Sequence, residues 1–226
     1  METQTAPTAT FIEAVKAGDA GKIDELLHAH PSLVTARTEH DVSAVLLACY
    51  MQQAAVLDVL LAQNPTLSLH EAAALGQTER VRALLDEDPA QLNAFAPDGF
   101  APLGLAAFFG RLETLNHLLE RGADVNTPSQ NAIRVRPLHS AVAHRQPEVA
   151  LQMATQLLAH GADIQVAQQG GWTPLHQAAA HNHTAMVDLL LRHGADRNAR
   201  SDDGKTPADM ARAQGHPALA DQLEAS

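Results

Sequence analysis

The feature that most constrains this chain is a tripeptide that returns on a steady beat. Gly122-Ala123-Asp124, Gly161-Ala162-Asp163 and Gly194-Ala195-Asp196 each follow a Leu-Leu pair by a few residues, and Pro102, Pro137, Pro174 and Pro207 recur at intervals of 35, 37 and 33. A period in the thirties encodes a supersecondary unit too small to bury its own apolar face, so copies must stack on one another. The glycines stand 39 and 33 residues apart; the longer interval holds two extra residues between Gly122 and Pro137 and four between His139 and Gly161. Four residues add about one helical turn and keep an apolar face roughly in register, whereas two belong at a loop tip.

Each unit reads as a pair of helices. Thr173 is a good N-cap, and Pro174 suits the first helical position, where its missing N–H is no loss. Gly76, Gly110 and Gly215 mark the turn into the second helix, and Asn182 takes that place in another copy because asparagine tolerates the left-handed region. Val187, Leu190 and Leu191 follow at helical spacing, and Gly194 ends the helix with Arg192 and His193 in its last turn. Apolar residues make up 46% of the chain but aromatics only 3%, which points to an aliphatic, alanine-rich interior between close helices rather than a β-sandwich.

The run from Gly171 through Trp172, Thr173, Pro174, Leu175, His176, Gln177, Ala178 and Ala179, followed by Leu189-Leu190-Leu191 and the Gly194 tripeptide, resembles an ankyrin repeat. Weaker copies cover nearly the whole chain. The resemblance implies a mostly α, ankyrin-type helical solenoid of stacked helix-turn-helix repeats with short hairpin-like fingers, in a single domain over residues 1–226. Repeats are expected at about 11–37, 42–67, 68–95, 99–126, 135–166 and 171–198, with a C-terminal cap at 205–224. Polar caps close the stack, through Glu13, Lys16 and Lys22 at one end and Arg212 at the other. In the first three copies Pro31, Pro65 and Pro89 follow the second helix in place of the glycine turn. Leu27 to Leu61 and Leu85 to Leu119 each span 34 residues, but Leu61 to Leu85 spans only 24, so about ten residues of finger are missing between the second and third copies. Ala101 and Arg136 stand where the pattern has a capping threonine, and Gly104 where it has a histidine.

A formal net charge of −11 argues against nucleic acid and anionic membrane as partners. Cys49 is the sole cysteine, which leaves no intrachain disulfide and no thiolate zinc cluster, and its small-residue position marks it as a buried filler. The first eighteen residues lack a basic and apolar leader, and no eighteen-residue apolar run occurs, so the expectation is a soluble cytoplasmic protein. Among thirteen histidines, His70, His139 and His176 occupy the signature position, where the resemblance implies a structural hydrogen bond to the next repeat. Gly122, Gly161, Gly194, Thr173 and Pro174 are structural in the same sense. Packed helices lie ~8–10 Å apart, too far for equivalent histidines to close within ~2 Å of one zinc ion. His181-Asn182-His183 falls at an interhelical turn, and Asp86-Glu87-Asp88 lacks the alternating ligands and central glycine of a calcium loop. No nucleophile elbow, Walker or dinucleotide glycine pattern is present. The expectation is a protein without catalytic residues, cofactor or metal.

The informative surface is the outward face of the short first helices. Gln177, Ala180 and His181 share a face by their spacing of three and four, and the same register selects Leu47, Tyr50 and Met51, then Glu71, Ala74 and Leu75, then Leu105, Phe108 and Phe109, then Ser140, Ala143 and His144. Apolar bulk peaks in the middle, where Phe95, Phe100, Phe108 and Phe109 crowd together, and Phe100 and Trp172 each precede a first helix at a finger base. The expected partner-binding residues are Tyr50, Met51, Leu75, Phe100, Leu105, Phe108, Phe109 and Trp172, with Arg134 and Arg136 on the lengthened finger as a second grip for a partner carboxylate. The expected function is that of an adaptor, scaffold or regulator, a monomer that binds another protein. Three alternatives compete. Tyr50, Met51 and Leu75 could seal a local core over the missing finger, with Phe108 inserted between helices. A small-molecule sensor or enzyme could place a pocket there, lined by Tyr50, Met51, His70, Leu75 and Phe95. A self-assembling module would bury Phe108 and Phe109 between copies. Phe109→Asp is expected to abolish partner capture while leaving thermal unfolding nearly unchanged; unfolding several degrees lower would return the residue to the core.

Overall fold

The computed structural model describes residues 6–225. They form fourteen α-helices in seven pairs: α1 (Ala6–Ala17) with α2 (Ala20–Ala29), α3 (Ala44–Tyr50) with α4 (Ala54–Ala62), α5 (Leu69–Leu75) with α6 (Thr78–Glu87), α7 (Pro102–Phe108) with α8 (Leu112–Glu120), α9 (Pro137–Val142) with α10 (Pro147–Ala159), α11 (Pro174–Ala180) with α12 (Thr184–Arg192), and α13 (Pro207–Ala213) with α14 (Pro217–Glu224). Among the described residues, strand pairing is limited to the isolated bridges Arg37–Ser43 and Gln168–Trp172. First helices pack on first helices and second on second, giving two parallel rows. From α3 to α12 the first row is built of the shorter helices, so the stack curves toward it and that row forms the inner wall. The extra turn falls where the spacing put it: α10 has 13 residues against 9 in α8 and α12.

The repeated residues each close a specific bond. Thr173 and Thr206 cap α11 and α13 in reciprocal capping boxes with His176 and Asp209, and Ser68 caps α5 with Glu71. After α8 the Gly122 N–H bonds Leu119 O and the Ala123 N–H bonds Leu118 O, the paired bonds of a left-handed helix stop, and Gly161 and Gly194 repeat the arrangement. The aspartate of the tripeptide turns the chain by accepting from the backbone N–H two residues on, at 2.9 Å for Asp124 and Asp163 and 2.8 Å for Asp196. An amide ladder then ties turn to turn. Asn126 donates to Gly161 O and accepts from the Asp163 N–H, and Gln165 does the same toward Gly194 and Asp196. Finger backbones are joined too, by Gln130 N–H to Gly99 O, Gln169 N–H to Ile133 O and Asp202 N–H to Gly170 O.

The apolar interior falls into two blocks. One runs from Phe11 to Leu67, the other from Leu69 to Leu223, and the break lies at the short 63–68 link where the finger is missing. The outer helices α4 and α6 on either side of it touch far less than the other outer neighbours up to α12, so the stack opens outward there. On the inner side a small cluster of Leu46, Cys49, Ala74 and Leu105 closes the seam. The ends carry exposed ion pairs, Lys16–Glu13 at 2.6 Å, Lys22–Glu25 at 2.9 Å, and Arg212 with Asp221 at 3.3 Å and Glu224 at 2.9 Å. Such pairs contribute at most about 1 kcal/mol each and serve mainly to keep the last surfaces polar. Asp86 pairs with Arg121 at 2.8 Å, and Asp88 accepts from the Ala90 N–H at 3.1 Å.

Candidate functional site

With no finger before α5, the inner wall closes over that helix. The Tyr50 hydroxyl, at the end of α3, donates to Asp98 Oδ2 on the finger preceding α7, 2.8 Å away. Asp98 is held by the Phe100 N–H on its other oxygen at 3.0 Å, and its carbonyl accepts from Asn131 on the next finger. Burial, then the Asp98 carboxylate, push the Tyr50 phenol well above the usual tyrosine range.

Around this strap the rings collect. Tyr50 lies 5.8 Å from Phe108 and 5.2 Å from Phe109, Phe108 lies 5.0 Å from Phe109 edge to face, and Phe100 lies 6.1 Å from Phe108. They differ in depth. Phe108 is 45% exposed and Met51 43%, while Tyr50, Leu75, Phe100 and Phe109 are half-buried and pack against the seam cluster. Leu105 is a correction to the expectation from spacing: it is fully buried, because the first turn of α7 is wedged against Leu46, Cys49 and Ala74. Glu71 and Ser140, the corresponding members on α5 and α9, are buried for the same reason, since only the last turn of each inner helix reaches the open face. At Gly104, where the pattern has a histidine, a Cβ would come within 3.3 Å of the Phe100 ring.

The other expected contacts separate. Trp172 is half-buried away from the ring cluster, and its carbonyl accepts from the Gln168 N–H and the His139 ring. Arg136 is spent within the chain, its Nε on Asn126 O at 3.1 Å and one Nη on Ala167 O at 3.5 Å, whereas Arg134 is exposed at the finger tip. Two signature histidines reach the next unit, His139 Nε2 to Trp172 O at 3.1 Å and His176 Nε2 to Lys205 O at 3.0 Å, whereas His70 Nε2 bonds Ala94 O at 2.8 Å at the end of its own unit. A carbonyl partner requires the proton on Nε2, which leaves Nδ1 of His176 to accept from the Thr173 N–H. Burial holds all three rings below the usual histidine range, His139 at about 4. Burial likewise pushes the Cys49 thiol up to about 11, so it is held as an unreactive thiol.

A groove of about 440 Å³ opens beside Tyr50 on the inner face. Its apolar floor is Leu57, Tyr50, Phe108 and Phe109, and its rim carries Arg111, His144 and Arg145. All three lie in the turns that follow α7 and α9; His144 is among the residues that the helical register selects, whereas Arg111 and Arg145 lie just beyond it. Arg111 lies over Gly76 with its Nε on Ala74 O at 2.8 Å, and His144 lies over Gly110. The five residues expected to line a pocket at the missing finger do not together line this groove. Of the five only Tyr50 lines it; His70 is tied to Ala94, Leu75 packs into the seam, and Phe95 borders a separate depression with Asp98 and Asn131. Among the described residues no three His, Cys, Asp or Glu side chains gather as a metal site, and no helix is long and apolar enough to cross a membrane.

Two stretches match known families. Residues 63–129 match ankyrin repeats (3 copies) and residues 157–211 match ankyrin repeats (many copies). Among curated proteins, E3 ubiquitin-protein ligase KEG of Arabidopsis thaliana is 30% identical over 131 residues, 57% of this chain and 8% of that protein. Ankyrin repeat and SAM domain-containing protein 6 of Rattus norvegicus is 31% identical over 106 residues, 46% of this chain and 11% of its own length. BCL-6 corepressor-like protein 1 of Homo sapiens is 34% identical over 112 residues, covering 50% and 6%. The chain spans about a tenth of the length of these relatives or less, so the likeness is between stretches of repeat.

Proposed function

We propose, since this chain belongs to the ankyrin repeat family, that it is a non-enzymatic protein-binding module, an adaptor, scaffold or regulator that engages one partner protein through its inner wall. The observation that carries this reading is the 45% exposure of Phe108 inside a ring cluster whose other members are anchored. An exposed aromatic on a rigid apolar floor loses little entropy on binding and offers a pocket-edge anchor of the kind that dominates interface energies. Tyr50 and Phe109 support that floor, Met51 extends it, and Arg134 offers a separate contact at the finger tip. A net charge of −11 favours a protein over nucleic acid or an anionic membrane as partner. The lone buried thiol of Cys49 suits a reducing cytoplasm, and the module acts as a monomer.

The test is site-specific photocrosslinking. A photoreactive phenylalanine analogue at position 108 is expected to trap one discrete protein in a native lysate, while the same group at exposed Gln152 on α10 traps none. Crosslinks from Gln152 with none from position 108 would move the contact to the outer row and contradict the proposal. A crosslink from position 108 to a second copy of the chain would replace it with self-assembly.

A further inference from the structure

The groove beside Tyr50 carries a charge opposite to that of the molecule. The chain has a net charge of −11, yet the groove is lined by Arg111, His144 and Arg145 and by no carboxylate. Both guanidinium groups have capacity to spare. Arg145 is exposed and makes no hydrogen bond or ion pair among the described residues, and Arg111 uses only its Nε, leaving two terminal nitrogens without a partner. Ser140, only 4% exposed, also borders the groove, with its hydroxyl buried. The depression on the other side of Tyr50 has no such bias, for it carries Glu13 and Glu39 together with Lys16 and His40.

We propose that this groove receives an unstructured segment of the partner protein in which an aspartate or glutamate stands next to a large apolar side chain. The apolar side chain lies on Phe108 and Phe109, and the carboxylate meets the forked donors of Arg111 and Arg145, whose geometry matches two carboxylate oxygens. Positive charge set in an otherwise acidic surface also fixes the register of the segment, because any other placement sets its carboxylates against those of the chain. The inference rests on the protein-binding reading above and deepens it.

The experiment is to pan a random displayed-peptide library on the full chain, then titrate synthetic copies of the recovered peptides against wild type, Arg145→Glu and Phe108→Asp. Recovered sequences are expected to carry an acid beside Phe, Leu, Met or Trp, and Arg145→Glu is expected to weaken them about tenfold. Changing the peptide's acid to lysine should restore binding to that variant, and raising the salt should weaken the wild-type complex. Neutral or basic recovered sequences, or equal affinity for Arg145→Glu, overturn the charge assignment while leaving the protein-binding reading intact if Phe108→Asp still abolishes binding. Failure to recover any sequence, or binding indifferent to Phe108→Asp, removes both. Arg145 makes no hydrogen bond or ion pair among the described residues, so unchanged thermal unfolding of Arg145→Glu is expected and checks that the variant is native.

Discussion

Tyr50 and Asp98 lie 48 positions apart in sequence and 2.8 Å apart in space, and their bond spans the helix pair between them. The second and fourth pairs therefore touch over the third, which the missing finger leaves uncovered. Tyr50→Phe removes the bond but keeps the ring, so a loss of about 1 kcal/mol in unfolding free energy is expected. The phenol titrates above its unfolded value of 10.0, so the folded chain holds that proton more tightly. Its contribution is complete below about pH 10 and is lost as the pH rises beyond it. Because Tyr50 is the only tyrosine, absorbance at alkaline pH reads this ionisation directly. Comparing urea unfolding of wild type and Tyr50→Phe across that range should show a steeper alkaline decline for wild type; parallel curves would mean the bond is not formed.

The histidine ladder gives the opposite slope. A ring whose proton affinity is lowered by folding favours the native state while neutral, so its contribution is complete above about pH 6.5 and is lost as the pH falls below that value. For His139 the window runs from the ordinary 6.5 down to about 4, a loss on the order of 3 kcal/mol by its end. His139→Gln keeps a donor for Trp172 O without a titrating ring. Its stability should decline less between those pH values than that of wild type, measured by chemical unfolding; equal declines would place the acid sensitivity elsewhere.

Gly110 and His144 form a coupled pair. Gly110 has φ +70° and sits beneath the His144 ring, whereas Gly215 has φ +82° with nothing within 4 Å of where a Cβ would stand. Alanine at either position meets the left-handed backbone cost of about 1–2 kcal/mol. Gly110→Ala should cost about 1 kcal/mol more than Gly215→Ala, because it also displaces the imidazole, and adding His144→Ala should remove that excess. Additive effects of the two changes, seen in a double-mutant cycle, would show that the ring does not rest there.

The architecture was readable wherever a residue's role is local. Thr173, Pro174 and Gly194 act within one helix end, and the four residues inserted before Gly161 appear as the extra turn of α10. Depth was not readable. Leu105 and Phe108 share a helical face three residues apart, but α7 is one short helix wedged between neighbours, so one is sealed and the other open. That distinction depends on Leu46 and Cys49, more than fifty residues away, swinging onto α7 across the shortened link. His144 was selected by the helical register, but Arg111 and Arg145 escaped because they lie in turns, where helical spacing no longer says which way a side chain faces. The amide ladder of Asn126 and Gln165 did leave a signal, an Asn or Gln two residues after each repeated aspartate, but its geometry emerges only when neighbouring turns stack.

The most direct measurement is a paired one on Phe108→Asp, combining calorimetric titration with the crosslinked partner and a thermal unfolding scan. An open anchor on the inner wall requires that binding disappear while the unfolding temperature stays within a degree or two of wild type, and that Phe109→Asp, half-buried against the seam, unfold several degrees lower. Undiminished binding by Phe108→Asp, or its unfolding as low as Phe109→Asp, would contradict the account.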